Sequence, residues 1–220
     1  MNDLHQLNIL IHIICGSIAL LLGALALLST KGSRLHNTSG RLFLVAIAIV
    51  ILTGFIGVFF FGRNSFLLVI TVLSGYVSFS GLRITRFKSN KPRALDMLVA
   101  LLSVAVLAYF LYYFQQIGMY WAPIVIYSTA GAFAIVVIYD FTRYLIPRDL
   151  YKKKRFWLYE HIYKMTSAFS AILSAFTGTV LEEYQPHSQY LPSALSILII
   201  FAFMIYVRVK GLKRMPNRKA

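Results

Sequence analysis

The sequence predicts an all-α fold: a bundle of seven membrane-crossing helices, with the N-terminus outside and the C-terminus in the cytoplasm. Three observations carry this reading. Of the 220 residues, 59% are hydrophobic and 13% charged, and the mean hydropathy is +0.71; a soluble domain of this length carries about 25% charged residues. Seven apolar segments recur, at about 5–30, 39–61, 65–86, 95–116, 122–147, 156–182 and 191–208. Each is long enough for a helix to cross a hydrocarbon core, which takes about 20 residues. They are too long, and alternate too little, for barrel strands, and only helices or closed barrels satisfy their backbone groups in lipid. Third, the Lys and Arg residues between the segments fall almost entirely on one side.

The elements follow in chain order. The first segment has Asp3 before it and its basic flank, Lys31 and Arg34, behind it. A cleaved signal peptide has the reverse arrangement and a shorter apolar run, so this segment reads as a retained helix. Along it His5, Asn8, His12, Gly16, Ala19, Gly23 and Ala26 recur at three- and four-residue spacing. Small and polar residues at that spacing face other helices, because they allow close backbone approach and keep polar groups from lipid. The second segment has Thr53, Gly54 and Gly57 towards its outer end, and Asn37 or Thr38 stands where a helix N-cap is expected. The third has Thr71, Ser74, Gly75, Ser78 and Gly81, and the sixth has His161, Lys164, Ala168, Ala171, Ala175 and Gly178. The first, second, third and sixth segments therefore form the expected inner ring. The seventh is almost wholly apolar from Ile197 to Ile205 and reads as peripheral. Cys15, the single cysteine, lies within the first segment, so no internal disulfide forms. No linker rich in Pro, Gly or Ser divides the chain, and residues 1–220 read as one domain.

Charge sets the orientation. Lys31, Arg34 and Arg41 lie in or beside the first connection, Arg83 to Arg93 around the third, Arg143 to Arg155 around the fifth, and Arg208 to Lys219 at the C-terminal end. Of the 22 basic residues, these groups hold all but Arg63, on the other side, and Lys164, inside the sixth segment. The positive-inside rule puts that side, with the C-terminus, in the cytoplasm and the N-terminus outside. The net charge of +15 thus reports topology and attraction to anionic lipid headgroups. No soluble domain presents it to nucleic acid.

HIICG (12–16) and HNTSG (36–40) repeat one spacing, but they describe two places. His12 sits in the outer half of the first helix and His36 at the inner start of the second, more than about 20 Å apart at 1.5 Å per residue. The polar groups gather at the inner face: His36, Gly40 and Arg41 open the second segment, Asp140 and Arg143 close the fifth, and Glu160, His161 and Lys164 open the sixth. Within one helix, Glu160 with Lys164 and Asp140 with Arg143 have the spacing of ion pairs, and a lysine near a helix end can also extend its amine to the interface. Neutral histidine ligates metals and haem and titrates near neutral pH. The candidate ligand or proton site is therefore His12, His36, Arg41, Asp140, Glu160, His161 and Lys164, with His36 and His161 as the metal or haem pair.

HIICGSIALLLGALALLSTKG followed by HNTSGRLF, and later HIYKMTSAFSAILSAFTG, resembles an uncharacterised family of multi-pass bacterial membrane proteins known only as a domain of unknown function. His12, Gly16, Gly23, Gly32, His36, Gly40 and Arg41, then His161 and Met165, carry the resemblance, which covers about a quarter of the chain. Where that family often has a basic residue after the second histidine, this chain has Asn37. The resemblance implies no activity; it implies that His12, His36 and His161 are the histidines that matter.

Three functions fit these residues. The leading one is a cytoplasm-facing polar cavity between the second, fifth and sixth segments that binds a small ligand, cation or proton, in transport or sensing. The second is a redox protein with one b-type haem on His36 and His161. The third is a metal-dependent membrane hydrolase on His36, His161 and Asp140 or Glu160, supplying about three ligands and a water. A retinal-type Schiff base is excluded, because the seventh segment has no lysine before Lys210.

Overall fold

The computed structural model describes residues 2–62, 65–117 and 122–210. Arg63 and the terminal basic residues Lys213, Arg214, Arg218 and Lys219 lie outside the described residues. Among the described residues eight α-helices follow one another: α1 (Asn2–Leu28), α2 (Arg34–Phe61), α3 (Ser65–Phe87), α4 (Ala94–Ile117), α5 (Pro123–Thr142), α6 (Arg148–Lys153), α7 (Phe156–Val180) and α8 (His187–Lys210). Seven are long. The short α6, in the fifth connection, was not expected; Tyr151 anchors it with no exposed surface. Among the described residues there is no strand.

Six of the long helices are apolar enough to cross a membrane: α1, α2, α3, α4, α5 and α8. α7 has the length, with 25 residues, but Glu160, His161, Lys164 and a run of Ser and Thr dilute its apolar character. The chain is a polytopic membrane protein by length and composition.

Local chemistry sets the helix ends. α2 begins five residues before the expected position, because Ser33, not Asn37 or Thr38, is its N-cap: the His36 amide donates to Ser33 Oγ at 3.1 Å. Asn37 instead donates its side-chain amide back to the Gly32 carbonyl. Lys31 closes the C-terminal end of α1, its ammonium donating to the carbonyls of Ala26, Leu27 and Ser29, where a cation meets the negative end of the helix dipole. Gly32, with φ of 80°, then turns the chain into α2. Pro123 starts α5, where the missing N–H has no intrahelical partner to lose.

α1 packs along α2, α2 on α3, α3 on α7, and α7 returns to α1. These four helices form a closed ring, and they are the four whose small-residue stripes predicted it. Its centre holds Ala19, Phe43, Ile47, Val77, Ala168 and Ile172, joined by Phe133 and Val136 of α5. α4 lies against α3, and α8 lies on the outer side of α7, with Leu195, Leu198, Phe201 and Ile205 exposed as a lipid-facing surface requires. α5 approaches α3, α4 and α8, and reaches α7 through side chains alone.

Candidate functional site

Four ionisable side chains close over one another where α5 ends and α7 begins. Lys164 has no exposed surface and donates to Asp140 Oδ1 at 2.5 Å. Tyr76 of α3 donates its hydroxyl to Asp140 Oδ2 at 2.7 Å. Arg143 Nη1 donates to Glu160 Oε2 at 2.7 Å, and Tyr139 donates to Glu160 Oε1 at 2.9 Å. Each carboxylate thus accepts from one cation and one phenol, and the two positive and two negative charges cancel. Neutrality and hydrogen bonds to every carboxylate oxygen are what let such groups leave water, and only Arg143 Nε among the two cations' buried nitrogens lacks a bond.

The pairing is not the one the spacing predicted. Glu160 and Lys164 do not pair along α7; each crosses to α5. α5 and α7 run antiparallel here, so Asp140 and Arg143, about one turn apart, stand opposite Lys164 and Glu160, also one turn apart. The bond along α5 survives only as a longer contact, Arg143 Nε to Asp140 Oδ1 at 3.6 Å. Nor does Lys164 extend to the interface, since it is wholly enclosed. Around the cluster, Asn90 of the α3–α4 connection donates to the carbonyls of Arg143 and Ile146 and holds that end of α5 in place. In α6, burial and the neighbouring Glu160 carboxylate push the Tyr151 phenol well above its ordinary pKa, so it stays protonated. A cleft where α3 ends, α4 begins and α5 ends leads to the cluster; its lining includes exposed Lys91, the Arg83–Asp96 ion pair, Tyr76, Asp140 and Arg143.

The histidines form a second group on another face of α7. Residues 160 and 161 point about 100° apart on a helix, as 3.6 residues per turn require. Glu160 therefore meets α5, while His161 turns into the ring towards α2. His36 and His161 face each other with ring centres 6.5 Å apart and planes at 89°. α2 and α7 are not neighbours; they lie on the diagonal of the ring, and the two imidazoles meet across it. His36 Nδ1 donates to the Ala26 carbonyl at 2.9 Å, which leaves Nε2 as the free nitrogen. His161 Nδ1 is buried and makes no hydrogen bond of ordinary geometry.

The expected single cavity between α2, α5 and α7 is thus corrected to two groups back to back on α7. Arg41 joins neither. It is exposed and lines a shallow surface groove with Arg34, Asn37 and Thr38. His12 stands apart, towards the other end of the ring, where its Nδ1 lies 2.8 Å from Thr53 Oγ1. That hydroxyl already donates to the Ile49 and Val50 carbonyls, so the imidazole N–H is the donor. Asn8 adds a bond to the Thr53 carbonyl. This is a tie between α1 and α2.

Among the described residues, no three His, Cys, Asp or Glu side chains converge, so the three-ligand set of the expected hydrolase is not assembled. Asp140 and Glu160 are committed to cations on the other face of α7 from the histidines. A haem would need a flat slot beside His36 and His161. One turn from His161 the helices are closed: a Cβ on Gly81 would stand 2.9 Å from Met165 Sδ and 3.2 Å from the Lys164 β-carbon. The residues do not fit a macrocycle.

Sequence reasoning missed Tyr76, Tyr139 and Asn90. Tyr76 had a legible signal, since a phenol within an apolar helix needs a partner for its hydroxyl. Tyr139, a phenol in the apolar α5, had the same signal, and Asn90 had none. No family model matches the chain, and the curated proteins and the solved structures give no match to it.

Proposed function

We propose that the chain is a seven-crossing protein of the bacterial inner membrane, with its N-terminus outside, whose Asp140–Lys164–Glu160–Arg143 cluster binds a proton or small cation from the cytoplasmic side in a transport-like role. In this reading α7 is the seventh crossing. It carries its polar groups through the membrane by facing the other helices rather than lipid. One observation carries the proposal: a wholly enclosed lysine paired with an aspartate that also lines a cleft, which the proposed orientation turns to the cytoplasm. Ionisable groups within a membrane protein's interior are costly, and they mark ion and proton pathways. Here the lost or gained charge has a defined receiver, because a proton taken up by Asp140 releases Lys164 from its partner. The motif resemblance to a multi-pass family is consistent with this reading and supports attention to His36 and His161, the second group on α7.

The test is flux. Purified protein in liposomes, under an imposed potassium-diffusion potential, should let protons reach an entrapped pH dye, or radiolabelled sodium reach the lumen, faster than in empty vesicles. Asp140→Asn should abolish the excess. Vesicles with the wild-type chain that match empty ones for both ions would contradict the proposal.

A further inference from the structure

We propose that His36, His161 and Met165 form a site for a soft monovalent metal ion, copper(I), at the cytoplasmic end of the ring made by α1, α2, α3 and α7. The site is separate from the charge cluster and does not depend on the function proposed for it.

Four observations lead there. The Ala26 carbonyl takes the Nδ1 proton of His36; a backbone carbonyl on one ring nitrogen is the usual device that orients an imidazole and frees its other nitrogen for a metal. His161 Nδ1 is buried and makes no hydrogen bond of ordinary geometry, although the Gly81 carbonyl acts on the ring, and an incompletely satisfied buried nitrogen is costly unless something binds it. The rings are 6.5 Å apart and perpendicular. Two imidazoles sharing one ion, each bond about 2 Å long, place their ring centres roughly 6 Å apart when the bonds are nearly opposite. Finally, Met165 lies one turn beyond His161 on the same helix face, with its Sδ against Gly81 of α3, whose absent side chain makes the room.

The donor set selects the ion. Two imidazoles and a thioether, with no carboxylate, suit copper(I) and not the hard cations. Structural zinc takes four ligands, and no third His, Cys, Asp or Glu converges here among the described residues. Lys31, a cation that acts on His161, has its ammonium held by three carbonyls at the end of α1. A single added charge is tolerated there better than a double one.

The metal-free full-length protein in detergent, titrated without oxygen against a chromogenic copper(I) chelator, should withdraw one copper per chain. X-ray absorption of the loaded wild type should show two nitrogen neighbours at about 2 Å and one sulfur. His36→Gln and His161→Gln should each weaken retention at least about tenfold, since even changes beyond the ligands cost that much. Met165→Leu should lose the sulfur and keep both nitrogens. The proposal is overturned if the wild type leaves all the copper with the chelator, or if its absorption shows no imidazole neighbours. It is equally overturned if both histidine variants retain copper undiminished, or if the pure protein shows a haem spectrum that His161→Gln removes. The wild-type absorption result stands whether or not the variants fold.

Discussion

Lys164 shows how much one side chain carries. It has no exposed surface, and its amine meets Asp140 while its β-carbon packs near Gly81. Lys164→Met keeps the stem and removes the charge, which leaves Asp140 buried opposite nothing. Removing one member of a buried pair costs about 3–5 kcal/mol, whereas replacing both by apolar groups is often neutral. Lys164→Met should therefore lower the unfolding temperature in detergent sharply, and Asp140→Leu with Lys164→Met should recover most of the loss. Additive losses in the double variant would mean that the two groups do not interact. The residue types of this cluster were legible in the sequence, because charged residues in apolar segments announce themselves. Their partners were not legible. Spacing along one helix offers Glu160–Lys164, and only the antiparallel placement of α5 against α7 turns that into two bonds between helices.

The helices meet through glycines of unequal tightness, which gives a test for each contact. Gly23 brings α1 against Phe169 of α7 and Phe43 of α2, and Gly81 brings α3 against Met165 and Lys164. An added methyl at either overpacks the contact, typically at about 1–3 kcal/mol. Gly131 on α5 has nothing within 4 Å of an added Cβ, so Gly131→Ala should be neutral or stabilising by up to about 1 kcal/mol through helix propensity. Gly16 is intermediate, with only Val50 at 4.0 Å. Thermal unfolding should rank Gly23→Ala and Gly81→Ala well below Gly16→Ala and Gly131→Ala; equal melting for all four would dismantle the ring. The small-residue stripes on α1, α2, α3 and α7 made this ring readable, since only packed helices need them. The stripe on α1 could not reveal that Gly16 packs loosely and Gly23 tightly, because that depends on which side chain the partner presents. The start of α2 was misplaced for a similar reason: three capping residues, Ser33, Asn37 and Thr38, stand within one stretch, and the turn at Gly32 decides among them.

For the whole molecule, the apolar segments and the distribution of Lys and Arg made the membrane class readable, but α7 is where composition and architecture part. By composition it falls below the six helices that can cross a membrane. By position it is central, packed on α1, α3 and α8, with Glu160, Lys164, Thr166 and Ser170 buried among its neighbours. Sequence alone cannot make that distinction, since a polar helix enclosed by others and a polar helix lying on the surface have the same composition. The proposed topology requires α7 to cross the membrane, with the charge cluster at its cytoplasmic end. The most direct measurement uses single cysteines, with Cys15 replaced, and a membrane-impermeant maleimide on right-side-out and inside-out vesicles. Lys153→Cys, on exposed α6 just before α7, and Tyr184→Cys, 59% exposed just after it, report its two ends. Lys153→Cys should label only in inside-out vesicles and Tyr184→Cys only in right-side-out ones; labelling of both from the same side would contradict the seven-crossing bundle and the buried site built on it.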